Sequence, residues 1–453
     1  MSLSARDCPL TLEPDMTTRP ATRAALWTGF LVPFFFASYG LANWLAAQCT
    51  DVGSIVFAWE RHIPFLAWTI VPYWSIDALY GLSLFFCRSG KEVDRVAKRL
   101  LSAQVVAVAC FILFPLALTS ERPEITGWAG PLFALLESFD GQHNMTPSLH
   151  IALLVILWTL YAKHVPRRWA WALHAWCALI GVSVLTTWQH HFIDVPTGAL
   201  LGWFCVWLWP ANAPSPLAGL RVAREGRAWR LAAFYALGAC AVAGSAFAIG
   251  GWALWLLWPS VSLLLVAAAY GGLGTSVFQK GADGRMSAAA RCLLAPYLIV
   301  AWINSRLWTR RDPAPVHIRD GVWLGRFPSA RGLARQEFAA IVDLSAELPA
   351  PKSRAAWHAF PSLDLVTPKS STLRSAARII ERRRAAGPVL VCCALGYSRS
   401  AAAVASWLLM SKRSQNLTKA LAAIRTARPR SVLTTHYEAA IAEAAGPRLN
   451  AVV

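Results

Sequence analysis

Two groups of residues in this chain have the types and spacing needed for chemistry on phosphorus. The first lies in Pro388-Val-Leu-Val-Cys-Cys-Ala-Leu-Gly-Tyr-Ser-Arg-Ser, where five residues separate Cys393 from Arg399. The apolar run before it reads as a buried strand and the Ala-rich run after it as a helix, so the residues between form a loop at a helix N-terminus. Such a loop offers the successive backbone N–H groups of Ala394, Leu395, Gly396, Tyr397 and Ser398 to a phosphate dianion, and the helix end adds partial positive charge. Gly396 permits the tight curvature. Arg399 is placed to grip two phosphoryl oxygens with its planar fork. The same field favours a thiolate at the loop's start, so Cys393 is read as the nucleophile. Ser400 is placed to stabilise that thiolate when it departs.

The second group is Pro147-Ser-Leu-His150 together with His190-His-Phe-Ile-Asp194. Ionisable side chains at the edges of apolar spans are costly and mark polar interiors. Asp194 lies one helical turn from His190 and orients its imidazole. In one chemically sensible arrangement, His190 then attacks phosphorus to form a phosphohistidine, while His150 protonates the departing oxygen. His191 and His143 are read as interfacial. Sulfur and imidazole supply the nucleophiles, so neither site calls for a metal or a cofactor.

These residues must be held by two kinds of structure. Hydrophobic residues make up 56% of the 453-residue chain and charged ones only 15%, with 23 tryptophans, a composition that points to a membrane protein. A spanning helix needs roughly 20 apolar residues. About eight stretches qualify, near 24–48, 63–87, 100–119, 148–163, 169–188, 192–209, 231–250 and 252–272. Arg88, Lys91, Arg95, Lys98 and Arg99 follow the second, Lys163, Arg167 and Arg168 the fourth, and Arg221, Arg224, Arg227 and Arg230 the sixth. Those loops are expected inside, which makes both termini cytoplasmic and puts the histidine group at the outer face.

The formal charge of +19 falls between apolar spans and along the C-terminal third, a pattern for anionic lipid headgroups and not for nucleic acid. Cysteines are scattered through apolar runs, so no disulfide framework is implied. Asp7, Glu13 and Asp15 interrupt the N-terminal segment, no removable signal peptide is expected, and the first span serves as the insertion signal. The Ala, Arg and Trp richness suggests a bacterial inner membrane.

The expected organisation is a cytoplasmic tail (1–23), a polytopic α-helical membrane domain (24–275) with the histidine site within 120–210, an interfacial helix and linker (276–312), and an α/β domain with a central sheet (313–453). In the linker, the apolar run Cys292–Ile303 is short and contains Pro296, which reads as a helix lying in the interface. Beyond Pro313, Val322–Leu324, Ala340–Leu344 and Val389–Cys392 alternate with amphipathic helical stretches, the pattern of an α/β sheet.

Residues 315–445 resemble the dual-specificity branch of the protein tyrosine phosphatase superfamily, whose signature is H-C-x-x-G-x-x-R-S. Asp320-Gly-Val-Trp-Leu-Gly-Arg-Phe-Pro is similar to that family's opening strand, and Arg425–Ala440, with Arg428-Pro429, to its closing segment. The resemblance implies an aspartic acid about thirty residues before the cysteine that protonates the leaving oxygen. Asp364, 29 residues before Cys393, takes that role. The family's histidine before the nucleophile is Cys392 here, read as a packing residue.

Residues 30–210 resemble the type 2 phosphatidic acid phosphatase superfamily, whose second and third motifs read P-S-x-H and H-x-x-x-D. Thr187-Trp-Gln-His-His-Phe-Ile-Asp looks like the inositol phosphorylceramide synthase branch. The superfamily's first motif survives only as Arg122-Pro123, which gives Arg122 the phosphate contact, and the arginine six positions before the third-motif histidine is Val184.

The resulting expectation is a two-headed membrane phosphatase. An outward histidine site acts on a lipid phosphate or transfers a phospho-headgroup, and an inward cysteine site removes a phosphate from a phospholipid-type substrate or a phosphoprotein. Two other readings stand beside it: a cysteine domain that only recognises phosphate and regulates the membrane domain, and a membrane domain that is a scaffold or transporter.

Overall fold

The computed structural model describes residues 20–49, 52–138, 144–223 and 225–446. Most of the N-terminal tail, His143 and Arg224 lie outside the described residues. Contacts divide the chain into two compact units, Met1–Asn212 and Ala213–Val453.

The first unit is helical. Its helices are α1 (Pro20–Ala46), α2 (Ile70–Ser83), α3 (Gly90–Leu113), α4 (Gly130–Glu137), α5 (Leu149–His164), α6 (Ala170–Thr186) and α7 (Asp194–Leu208). Two glycines one turn apart on α7 let it approach α5 closely: a Cβ on Gly198 would lie 2.4 Å from the Ser148 carbonyl oxygen, and one on Gly202 2.7 Å from the Val155 Cβ. This seam brings the first residue of α7, Asp194, against the residue that caps α5, Ser148.

The second unit opens with α8 (Gly226–Ile249), α9 (Leu257–Ala268) and α10 (Ala288–Trp308). Its sheet comprises β1 (Val316–Arg319), β2 (Val322–Arg326), β3 (Ala340–Ser345), β4 (Ala356–Ser362) and β5 (Val389–Cys393), in the order β1-β2-β5-β3-β4. The helices of this part are α11 (Ala330–Arg335), α12 (Ser370–Arg384), α13 (Arg399–Met410), α14 (Leu417–Ala427) and α15 (Thr435–Ala445). β1 is antiparallel to β2 and the remaining pairings are parallel, so the sheet is mixed. Asp320 (φ 46°) and Gly321 (φ 78°) make the tight turn between β1 and β2. Every residue of β3 and β5 is buried, as expected of central strands covered on both faces. α13 is buried from Arg399 to Leu409, which its alanines allow by letting neighbouring helices come close.

Among the described residues, six helices are long and apolar enough to cross a membrane: Pro20–Ala46, Gly90–Leu113, Arg167–Thr186, Gly226–Ile249, Gly251–Phe278 and Ala288–Trp308. The sequence suggests about eight spans. The stretch near 63–87 carries Pro64, Pro72 and Asp77 and folds as a short 3-10 turn followed by the 14-residue α2. α5 and α7 have 16 and 15 residues. Pro296 does not interrupt α10, which runs unbroken for 21 residues.

Both ends of α10 meet the α/β part of its own unit. Just before it, Ala282 and Gly284 accept backbone hydrogen bonds from Ala359 and Ala350, each at 2.9 Å. At its far end Ser305 Oγ donates to the Ala394 carbonyl at 2.5 Å and Arg306 to the Phe327 carbonyl at 2.9 Å. The side chain of Lys280, in the turn between α9 and α10, is wholly buried. Its Nζ pairs with Asp343 at 2.5 Å and donates to the carbonyls of Ser345 (2.7 Å) and Leu348 (2.6 Å).

Removing one partner of a buried pair leaves the other charge uncompensated. Lys280→Met should therefore destabilise the second unit by about 3–5 kcal/mol, read as an earlier thermal unfolding of the full-length protein in detergent. Unchanged stability would mean that the pair contributes nothing.

Candidate active sites

β5 delivers Cys393 to the sheet's C-terminal edge, and α13 begins six residues later at Arg399. In the loop between, Gly396 has φ 76°, and a Cβ on it would lie 2.4 Å from both the carbonyl carbon and oxygen of Gly325. Conformation and space alike therefore demand glycine there. The Cys393 Sγ is buried and accepts from the Gly396 N–H and the Ser400 hydroxyl, each at 3.2 Å. Two donors converge on sulfur, the arrangement that stabilises negative charge on it. The loop is braced from outside by Ser305 on the Ala394 carbonyl and by Arg428 on the Leu395 carbonyl at 3.2 Å. Arg428 also stacks over the Tyr397 ring.

Arg399 is 1% exposed. Its Nη1 and Nη2 bind the Glu347 carboxylate at 2.9 and 2.6 Å, Nη1 also donates to the Ser362 carbonyl at 2.7 Å, and Nη2 pairs with Asp364 at 2.9 Å. Asp364, with about a third of its side chain exposed, thus stands at the guanidinium beside the loop. Burial opposes the charge on Glu347, but the Arg399 guanidinium, its hydrogen bonds and the nearby Lys280 outweigh that and hold the carboxyl below its usual range. Arg399 is correspondingly held well above its usual range despite its burial, chiefly by Glu347 and then Asp364. Cys392 packs with Phe327, Phe338, Ile341 and Leu390, and burial, followed by the Asp343 charge, pushes its thiol well up.

In the first unit, His190 stands between two partners. Its Nδ1 lies 3.2 Å from Asp194 Oδ2 and its Nε2 3.1 Å from Ser148 Oγ. Asp194 also accepts from the His191 N–H at 2.9 Å and from the Thr146 hydroxyl. In the tautomer that donates a hydrogen bond from Nδ1 to Asp194, Nε2 keeps its lone pair, the form a nucleophilic imidazole requires. His150 stacks on Tyr73 with ring centroids 4.2 Å apart and interacts electrostatically with His190. Its Nε2 is buried without a hydrogen-bond partner.

Arg122 is drawn to the same loop: it donates to the Thr187 carbonyl at 3.1 Å, binds Glu137 at 2.6 Å and contacts Gln189. His191 has partners of its own. It is buried, with Nδ1 3.2 Å from Glu60 and Nε2 3.2 Å from the Thr119 N–H. Glu60 on one ring nitrogen and Thr119 on the other satisfy the imidazole away from water.

Sequence reasoning brought Cys393, Gly396, Arg399, Ser400 and Asp364 to one place, and His190, Asp194 and His150 to another. It missed Glu347 and gave Ser148 no role. The available signals were an acidic residue just past an all-buried strand, and a hydroxyl two residues before a histidine at a helix start.

Residues 322–445 match the family model "Dual specificity phosphatase, catalytic domain". That part is a dual specificity phosphatase catalytic domain, which makes the protein a phosphoric monoester hydrolase. Similar solved structures include Tk-PTP in its active form (28% identity, covering 30% of this chain and 97% of that one, TM-score 0.27) and human DUSP28 (24%, 29% and 93%, TM-score 0.27). PTPMT1 in complex with PI(5)P is similar at 18% identity, covering 29% of this chain and 94% of that one, TM-score 0.27. No curated protein matches the chain significantly.

The Glu347 carboxyl has a testable pH signature. A carboxyl held below its ordinary value of 4.5 adds stability above that pH and loses it as pH falls through the lowered value. Thermal unfolding of the full-length protein should therefore come progressively earlier below pH 4.5. Glu347→Gln should flatten that acid limb while lowering stability at neutral pH, and an unchanged acid limb would rule this assignment out.

Proposed function

We propose that the protein is a membrane-bound phosphatase with two phosphate-handling sites: a cytoplasmic cysteine phosphomonoesterase and an outward-facing histidine site for a lipid phosphate. The observation that carries the first is the convergence on Cys393 Sγ of the Gly396 N–H and the Ser400 hydroxyl, in a loop that ends at Arg399 with Asp364 beside it.

In the reaction, the Cys393 thiolate attacks phosphorus in line, forming the S–P bond as the ester P–O bond breaks. The loop amides of Ala394–Ser398 and the Arg399 guanidinium take up the charge on the phosphoryl oxygens. Asp364 gives its proton to the departing alkoxide. Water then attacks the phosphocysteine, Asp364 recovers a proton from it, inorganic phosphate leaves, and the thiolate is released to the Ser400 hydroxyl.

At the second site, His190 Nε2 is the nucleophile, Asp194 holds the imidazole, His150 protonates the leaving oxygen and Arg122 assists the phosphate. The acceptor is water or a lipid hydroxyl. Support comes from the Ser148–His190–Asp194 hydrogen-bonded series in a helical unit rich in apolar residues.

A membrane setting is supported by large apolar side chains on the helices of the second unit, among them Phe234, Leu237, Phe247, Ile249, Trp252, Ile299, Val300 and Trp308, all exposed. Patches of that size on a protein surrounded by water would drive aggregation. Because both ends of α10 touch the α/β part, we read α10 as lying in the interface, with the catalytic loop at the bilayer surface among anionic headgroups. Membrane lipids and lipid phosphates are the preferred substrates, phosphoproteins the next.

In the full-length protein in detergent, Cys393→Ser should abolish phosphate release from an aryl phosphate. His190→Ala should leave that activity intact and remove a separate release or transfer from a lipid phosphate that survives in Cys393→Ser. Absence of Cys393-dependent turnover in the folded wild type would move the reading to a phosphate-recognising regulator, which the missing histidine before Cys393 favours.

A further inference from the structure

The two carboxylates on Arg399 come from segments that are each held by one residue of the turn between α9 and α10. Tyr270 lies where α9 passes into a π turn over Ala269–Leu273, and its hydroxyl donates to the main-chain carbonyl of Asp364 at 3.0 Å. The ring is buried and stacks on Tyr235, with centroids 5.5 Å apart and planes 9° from parallel. Tyr235 in turn meets Tyr297 of α10 edge-on at 6.0 Å. Tyr270 is therefore fixed before it reaches the loop. Ten residues on, Lys280 clamps Asp343, Ser345 and Leu348, the segment that carries Glu347.

The Asp364 loop has little burial of its own. The Asp364 side chain is 37% exposed, and the next residue, Leu365, is exposed and has φ 59°, a left-handed conformation unusual for leucine. A general acid must come within about 2.6–3.2 Å of the oxygen it protonates. Misplacing a catalytic group by 1 Å can cost roughly 100-fold in rate.

We propose that Tyr270 is a positioning residue of the cysteine phosphatase reaction, holding the Asp364 loop through its backbone carbonyl so that the acid reaches the leaving oxygen. The inference rests on the cysteine-site reading above and goes beyond it by making an apolar helix supply part of the catalytic geometry.

Leaving-group dependence separates this role from general support of the fold. Nitrophenolate departs without a proton, whereas a simple alkoxide needs the acid. The experiment compares full-length wild type, Tyr270→Phe, Tyr235→Phe and Asp364→Asn in detergent, with p-nitrophenyl phosphate and glycerol phosphate as substrates. Tyr270→Phe should lower kcat on glycerol phosphate by roughly 10-fold or more and change that on p-nitrophenyl phosphate by less than about 2-fold, in the direction of Asp364→Asn. Tyr235→Phe, which removes the hydroxyl hydrogen-bonded to Tyr297 and leaves the bond from Tyr270 to the Asp364 carbonyl in place, should leave the ratio of the two rates unchanged.

Equal losses on both substrates, no loss on either, or the same selective loss in Tyr235→Phe would each overturn the assignment. No Cys393-dependent turnover of either substrate by wild type would overturn the function itself and this inference with it.

Discussion

The catalytic half of the molecule is organised by the requirement that Arg399 stay charged while almost completely removed from water. A desolvated guanidinium costs several kcal/mol unless its donors are met by well-placed acceptors. Here they are met from three directions: the start of α13 carries the arginine, the segment after β3 supplies Glu347, and the end of β4 with the loop after it supplies the Ser362 carbonyl and Asp364. That convergence requires β3 to sit between β5 and β4, which is the observed strand order. It also orients the planar fork before any phosphate arrives, so little reorganisation remains for the reaction itself.

The histidine site obeys a different constraint. Asp194 anchors it, through His190, the His191 N–H and Thr146, and it can do so because α7 meets α5 at glycines. Among the described residues no guanidinium pairs with its carboxylate. The bond between Ser148 Oγ and His190 Nε2 follows from that close seam. Arg122, by contrast, spends its donors on Thr187, Glu137 and Gln189, so its first effect is to shape the loop leading into His190.

What could be read in the sequence was whatever depends on neighbours along the chain. The loop from Cys393 to Arg399 is encoded in seven consecutive residues, and the three strands expected at 322, 340 and 389 were legible because their apolar runs are short and uninterrupted. Glu347 was not, because its meaning comes from an arginine 52 positions away, and Lys280 was not, because its partner is 63 positions away. β1 and β4 lack a continuous apolar run, as their half-buried residues show. Hydropathy registers how oily a stretch is and not whether it is one rod: the second stretch folds beyond Pro64 as a 3-10 turn and the 14-residue α2, whereas Pro296 divides nothing.

Lys280 lies 42 positions before the first residue of the recognised phosphatase region, 322–445, yet its ammonium occupies that region's interior. The limits of family likeness and the limits of the packed interior therefore do not coincide here. A chain trimmed to its recognisable part would strand the Asp343 carboxylate in a dry interior with its cation cut away, and would free the segment bearing Glu347 as well. Together with Tyr270, Ser305 and Arg306, that lysine ties the catalytic part to the helical segments that precede it, so an excised enzyme would lose four side-chain supports at once.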